Sequence, residues 1–232
     1  VIPIDSEHGA ILQCLEHNPI KRIYLTASGG PFRNMDKELL SKVTPEQALN
    51  HPIWKMGTKI TIDSATMMNK GFEVIEAAKL YGLTEDRIKV LIHPQGIIHS
   101  MVEFYDNSIK AQLSTCDMKL HIQYALTYPK RYNNGYEELD LTRYDLTFHK
   151  PDFDRFKCLK LAYYAVKEGN SLGTVINAAN DVCVEAFLKG KIAFNDIADI
   201  IEKVMNKHDN IKAESIEHVL SISDWAKSEA GL

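Results

Sequence analysis

The sequence predicts an α/β (α+β) domain built on a mixed sheet, followed by a C-terminal α-helical bundle. Three patterns predict it. Up to residue 127, short β-branched runs alternate with helical periodicity; residues 100–114 alternate about a turn, as an antiparallel hairpin does; beyond residue 153 only helical periodicity remains.

Taken in order, Val1-Ile2-Pro3-Ile4 predicts a strand over 1–5, and the pattern that follows predicts a helix near 7–17. A strand is expected at 22–27, another at 59–63, and a helix near 70–81 closed by Gly82. A strand near 88–92 precedes the hairpin, whose arms at 100–105 and 109–114 flank the turn residues Asp106-Asn107-Ser108. Periodicity then fades through a stretch from Tyr128-Pro129 to Lys150-Pro151 that reads as a linker. Helical patterns near 155–168, 174–189, 194–207 and 214–230, with Gly169 and Gly190 as stops, predict a small antiparallel bundle. The expected domains are therefore 1–127, α/β, and 154–232, helical, joined by 128–153.

Composition narrows the function. With 45% hydrophobic and 25% charged residues, and no apolar run near the roughly 20 residues that cross a bilayer, membrane proteins are excluded. A net charge of −4 gives no basic face for nucleic acid. Cys14, Cys116, Cys158 and Cys183 share no metal or redox spacing and read as reduced intracellular thiols. Because the chain opens on Val1 within an apparent strand, further sequence is expected to precede it.

One internal echo bears on chemistry. Val1-Ile-Pro-Ile-Asp5-Ser6 and Lys59-Ile-Thr-Ile-Asp63-Ser64 each end a β-branched run in Asp-Ser, and ligands gather at the carboxyl ends of strands in α/β sheets. Asp5 and Glu7, two residues apart at a helix start, can converge on one point, and hard carboxylate oxygens favour Mg²⁺ or Mn²⁺. A helix cap and a first-turn acid give the same pattern. Glu73, in the first turns of a later helix, is the third candidate ligand, and an ordinary solvated glutamate is its alternative.

The segment Thr26-Ala27-Ser28-Gly29-Gly30-Pro31-Phe32 offers a hydroxyl and open backbone N–H groups. Ser64, Asn69 and Lys70 add a hydroxyl, an amide and an ammonium at a helix start, a set suited to a phosphate dianion. Both segments can also be plain turns into helices. His51-Pro-Ile-Trp54-Lys-Met56-Gly57 reads as a lid whose Trp54 and Met56 would exclude water, with His51 as a further phosphate donor. His93 and His99 lack the partners of a zinc site and read as structural, as do His8 and His149.

These motifs together resemble the 1-deoxy-D-xylulose 5-phosphate reductoisomerase family. The resemblance rests on Pro3-Ile-Asp5-Ser6-Glu7-His8, Ala27-Ser28-Gly-Gly-Pro-Phe32, His51-Pro-x-Trp54-x-Met56-Gly57, Asp63-Ser-Ala-Thr-Met-Met-Asn-Lys70-Gly-x-Glu73 and Ile92-His-Pro-Gln, and continues to Asn177-Ala-Ala-Asn180. It implies the catalytic and C-terminal domains of that family without its N-terminal NADPH domain. It implies metal ligands at Asp5, Glu7 and Glu73, with His51 also at the catalytic centre. The substrate would be held by Ser6, Glu7, Ser28, His51, Ser64, Asn69, Lys70 and Glu73, and NADPH met by Gly57 and Met118. The implied reaction turns 1-deoxy-D-xylulose 5-phosphate into 2-C-methyl-D-erythritol 4-phosphate in non-mevalonate isoprenoid biosynthesis, in a homodimer of the bacterial cytoplasm or a plastid. Gly9 departs from the usual Asn, and Cys116 from the usual Pro. The rival readings are a metal-dependent phosphosugar aldolase or isomerase without hydride transfer, and a non-catalytic substrate-binding fragment.

Overall fold

The computed structural model describes residues 1–133 and 135–231. They form two compact units that interleave in sequence: Val1–Ser28 with Ala77–Pro151, and Gly29–Glu76 with Asp152–Leu232. Packing therefore groups 29–76 with the C-terminal helices, where sequence order suggested a contiguous segment over 1–127.

The first unit is built on a four-stranded sheet. Its strands are β1 (Ile20–Ala27), β2 (Ile88–Ile92), β3 (Ile98–Phe104) and β4 (Ile109–Leu113), in the order β2-β1-β3-β4. β1 runs parallel to β2 and antiparallel to β3, which pairs antiparallel with β4, so the sheet is mixed as expected. The hairpin turn is set by Asn107 at φ 66° and by Asp106 Oδ1, which accepts the Ser108 N–H at 3.0 Å. Helix α1 (Ser6–Cys14) lies on β3 and β4 and buries Ala10, Ile11 and Cys14. Its end comes earlier than expected, because Leu15 is extended and Pro19 follows closely.

Two expected strands are absent. Residues 1–4 join no ladder, and Val1, Ile2 and Ile4 are exposed. Residues 59–63 lie in a helix, so the two Asp-Ser pairs are instead a helix start, at Asp5-Ser6, and a helix interior, at Asp63-Ser64.

The second unit is helical. It holds α2 (Lys37–Leu40), α3 (Pro45–Ala48), α4 (Thr58–Ala65) and the first part of α5 (Met68–Tyr81), whose last turn belongs to the first unit. Thr58–Ser64 alternates like a strand, yet its burial at Thr61, Ile62, Asp63 and Ala65 does not follow a period of two. Helical spacing wins through contacts four residues apart: Thr61 Oγ1 donates to the Gly57 carbonyl at 2.8 Å, and Lys59 pairs with Asp63 at 2.8 Å.

In the first unit, α6 (Met118–Thr127) begins at an Asp117 cap and has no counterpart among the expected helices. The C-terminal helices are α7 (Lys157–Glu168), α8 (Leu172–Leu188), α9 (Phe194–Lys207) and α10 (Ile216–Glu229), close to the expected spans. α8 is the core of this unit, apolar on most faces and packed by α4, α7, α9 and α10. Gly71 lets α5 approach α7, since a Cβ there would lie 2.8 Å from the Ala162 Cβ. Among the described residues no helix is long and apolar enough to cross a membrane.

Candidate functional site

In the first unit the candidate residues gather at the start of α1. Asp5 is the α1 cap: its Oδ1 accepts the N–H groups of Glu7 at 3.0 Å and His8 at 3.4 Å. This uses one carboxylate oxygen and fixes the other by geometry. Ser6 is buried, and its hydroxyl donates to Glu7 Oε2, aiming that carboxylate. Tyr81, at the end of α5, donates its hydroxyl to the His8 carbonyl at 2.7 Å. Burial, and then the Asp5 carboxylate, hold the Tyr81 phenol well above its ordinary range, so it stays a donor.

Ser28 follows the end of β1, which is pinned by Thr26 Oγ1 reaching the carbonyls of Ile98 at 2.5 Å and His99 at 2.8 Å. Met118, half-buried, opens α6. Three residues on, His121 is buried with neither ring nitrogen hydrogen-bonded, its ring edge-on to His99 at 4.5 Å. Burial, and then the His99 ring, push its pKa down to about 4, while Glu7 pulls upward. A Cβ at Gly9 would stand 4.0 Å from its Nδ1. Sequence patterning missed both Tyr81 and His121, and a lone His in an apolar helix was the available signal for the second.

His93 and His99 are occupied structurally. His93 Nδ1 meets the Thr147 carbonyl at 2.9 Å and its ring stacks on Phe148; His99 Nε2 meets Ser114 Oγ at 2.9 Å.

In the second unit, Gly29 and Gly30 have φ of 87° and 66°, and a Cβ on Gly30 would meet the Ser64 carbonyl oxygen at 2.7 Å. Only glycine lets this loop lie against α4 at Ser64. Asp63, next to Ser64, is buried and structural: Lys59 donates to its Oδ2 at 2.8 Å and Asn180 to its Oδ1 at 2.7 Å. Burial raises its pKa, and these two donors oppose the rise.

The loop 51–57 is organised by His51, whose Nδ1 accepts the N–H groups of Ile53 at 3.2 Å and Trp54 at 2.8 Å. That role requires a lone pair on Nδ1 and puts the ring proton on Nε2. Burial, and then the Arg33 charge, lower the His51 pKa, so the ring is neutral near pH 7. Trp54 and Met56 are half-buried, and Gly57 caps α4. On the first turns of α5, Asn69 Nδ2 donates to Glu73 Oε1 at 2.8 Å, and Lys70 Nζ donates to Glu73 Oε2. Lys70 and Glu73 are only 4% and 3% exposed, so α5 carries a nearly dry ion pair beside an amide.

Fold and side chains together define a class: an α/β protein with a helical C-terminal part, bearing carboxylates, hydroxyls and a buried lysine–glutamate pair at helix starts. Comparison with known proteins makes the class particular. Residues 1–81 match the model of the 1-deoxy-D-xylulose 5-phosphate reductoisomerase C-terminal domain, and residues 113–229 match that of the DXP reductoisomerase C-terminal domain. The chain belongs to the 1-deoxy-D-xylulose 5-phosphate reductoisomerase family.

Among curated relatives, the reductoisomerase of Thermoanaerobacter sp. (strain X514) is 54% identical over 99% of this chain and 61% of its own length. That of Desulfitobacterium hafniense (strain Y51) is 53% identical over 98% of the chain and 60% of its own. Among solved structures, the Zymomonas mobilis reductoisomerase in complex with NADPH is 45% identical, with a TM-score of 0.92 over 98% of this chain and 60% of that one. A DOX-P reductoisomerase in complex with NADPH, fosmidomycin and magnesium is 42% identical, also with a TM-score of 0.92, over 99% and 62%. The chain thus spans about 60% of the length of the relatives it matches.

Proposed function

We propose that this chain carries the metal- and substrate-binding part of a 1-deoxy-D-xylulose 5-phosphate reductoisomerase. The reaction is the NADPH-dependent conversion of that substrate to 2-C-methyl-D-erythritol 4-phosphate, a step of non-mevalonate isoprenoid biosynthesis in the bacterial cytoplasm, performed by a homodimer. The observation that carries this reading is the 45% identity, over 98% of the chain, to a reductoisomerase solved with NADPH. NADPH in that relative also favours hydride chemistry over a plain aldolase or isomerase. Residues 1–127 are assigned the chemistry, 154–232 the supporting bundle, and 128–153 the link.

Asp5, Glu7 and Glu73 are the proposed metal ligands, each offering one carboxylate oxygen. An all-carboxylate donor set fits Mg²⁺ or Mn²⁺, and magnesium is the ion in the solved relative that holds fosmidomycin. When bound, the ion supplies Lewis acidity to the substrate's oxygens through the rearrangement and the reduction. The Asp5 cap and the Ser6 hydroxyl keep two of these carboxylates aimed before anything binds.

Ser28, His51, Ser64, Asn69 and Lys70 are proposed to hold the phosphate end, with Ser6 near the reacting end. Neutral His51 serves through its Nε2–H, the nitrogen left to carry the proton. Gripping a non-reacting group turns binding energy into orientation and lid closure. Trp54 and Met56 close over the site, and Gly57 and Met118 face the nicotinamide cofactor. The test is to fuse the chain to the NADPH-binding part of the Thermoanaerobacter relative and follow NADPH oxidation. Oxidation that requires both 1-deoxy-D-xylulose 5-phosphate and Mg²⁺ or Mn²⁺ is expected. A folded fusion that binds NADPH but oxidises none with this substrate would refute the assignment.

A further inference from the structure

Two of the proposed phosphate donors are engaged elsewhere. The Lys70 ammonium and the Asn69 amide both donate to Glu73, one to each carboxylate oxygen, within a single turn of α5. Lys70 and Glu73 are almost fully buried, so neither charge is easily served by water. The proposed metal ligand is thus held by the groups proposed to hold the phosphate.

We propose that phosphate and metal bind this chain with positive cooperativity, because Lys70 and Asn69 transfer from Glu73 to the phosphate as the metal takes their place on the carboxylate. This deepens the functional assignment above and rests on it. Two physical effects act in the same direction. A cation approaching Glu73 meets the like charge of the Lys70 ammonium in a poorly solvated place, and a phosphate dianion that draws the ammonium away removes that repulsion. Conversely, a phosphate that draws Lys70 away takes from the buried Glu73 carboxylate the cation on its Oε2, and a divalent ion restores positive charge there. Each ligand therefore prepares the site for the other, and the coupling is reciprocal. The spacing makes this mechanical: Asn69, Lys70 and Glu73 sit at i, i+1 and i+4 on one helix, and the long lysine stem swings between partners without moving the backbone. The helix acts as a double lock against binding either the bare ion or the bare phosphate.

The test uses the full 232-residue chain with Mn²⁺ and inorganic phosphate as probes, the free ion being corrected for Mn²⁺–phosphate association in solution. Calorimetric titration should show the Mn²⁺ dissociation constant falling by about tenfold at saturating phosphate, within the usual range of coupling between sites. Phosphate should tighten by the same factor at saturating Mn²⁺, a comparison that needs no variant. In Lys70→Met the response to phosphate should vanish, while Mn²⁺ without phosphate binds at least as tightly as to wild type. Less than a twofold response in either direction in the wild-type chain would overturn the proposal, as would a Lys70→Met protein that loses Mn²⁺ binding without phosphate. If Glu73→Gln binds Mn²⁺ like the wild type, the metal assignment itself fails, and the coupling with it.

Discussion

Asp5 shows how one side chain holds two roles that patterning treats as rivals. Its Oδ1 caps α1, as the plain structural interpretation requires, and its charge still stands at the start of a helix beside Glu7. The two roles separate by substitution. Asp5→Asn keeps a capping oxygen and removes the charge, so thermal unfolding should show a loss of no more than about 1 kcal/mol. Gly30 is the opposite case, a position with one purpose. Gly30→Ala adds about 1–2 kcal/mol from the left-handed backbone alone, and its Cβ meets the Ser64 carbonyl oxygen at 2.7 Å. Denaturant unfolding should register a total loss of at least about 2 kcal/mol. At this scale the polar residues were legible because Asp-Ser-Glu, Ser-Gly-Gly and Asn-Lys-Gly-x-Glu sit at turns and helix starts. His121 was not: it is recognised by its burial and its unsatisfied ring nitrogens, neither of which a sequence displays.

Among elements, the sheet and the four C-terminal helices were readable, since alternation and helical periodicity report which face is buried. Residues 59–63 were misread for a definite reason. Lys59-Ile-Thr-Ile-Asp63 alternates, but Asp63 bonds Asn180 of α8 and Lys59 one turn back, and both bonds exist only in a helix packed on the bundle. Tertiary contact overrides local preference there. Residues 1–4 failed differently: a β-branched run makes a strand only beside a partner, and this one has no place in the ladder. The α4–α8 tie has a measurable size. Asn180→Ala removes one donor from a buried carboxylate and should cost about 1–3 kcal/mol by chemical denaturation. A loss near zero would show that Lys59 alone satisfies Asp63.

For the whole molecule, pH offers a global readout. Folding keeps His121 neutral down to about pH 4, whereas the unfolded chain takes up a proton near the ordinary histidine value of 6.5. The unfolded state then holds more protons, so stability is complete above pH 6.5 and drains away as pH falls toward 4. The full window is worth on the order of 3 kcal/mol. His121→Phe should flatten this part of the stability profile, and an unchanged slope would assign it to other groups.

The interleaving of the two units was beyond sequence, because the return of 29–76 to the C-terminal helices depends on long-range packing such as Gly71 against Ala162. The assignment of one divalent ion to Asp5, Glu7 and Glu73 is a proposal. Its most direct test is Mn²⁺ titration of the chain alongside Asp5→Asn, Glu7→Gln and Glu73→Gln, each near-isosteric and each removing one charge. A single wild-type site and at least about tenfold weaker binding in every variant are expected, since a lost charged ligand is worth at least about 1.4 kcal/mol. Wild-type affinity in any folded variant would contradict the assignment.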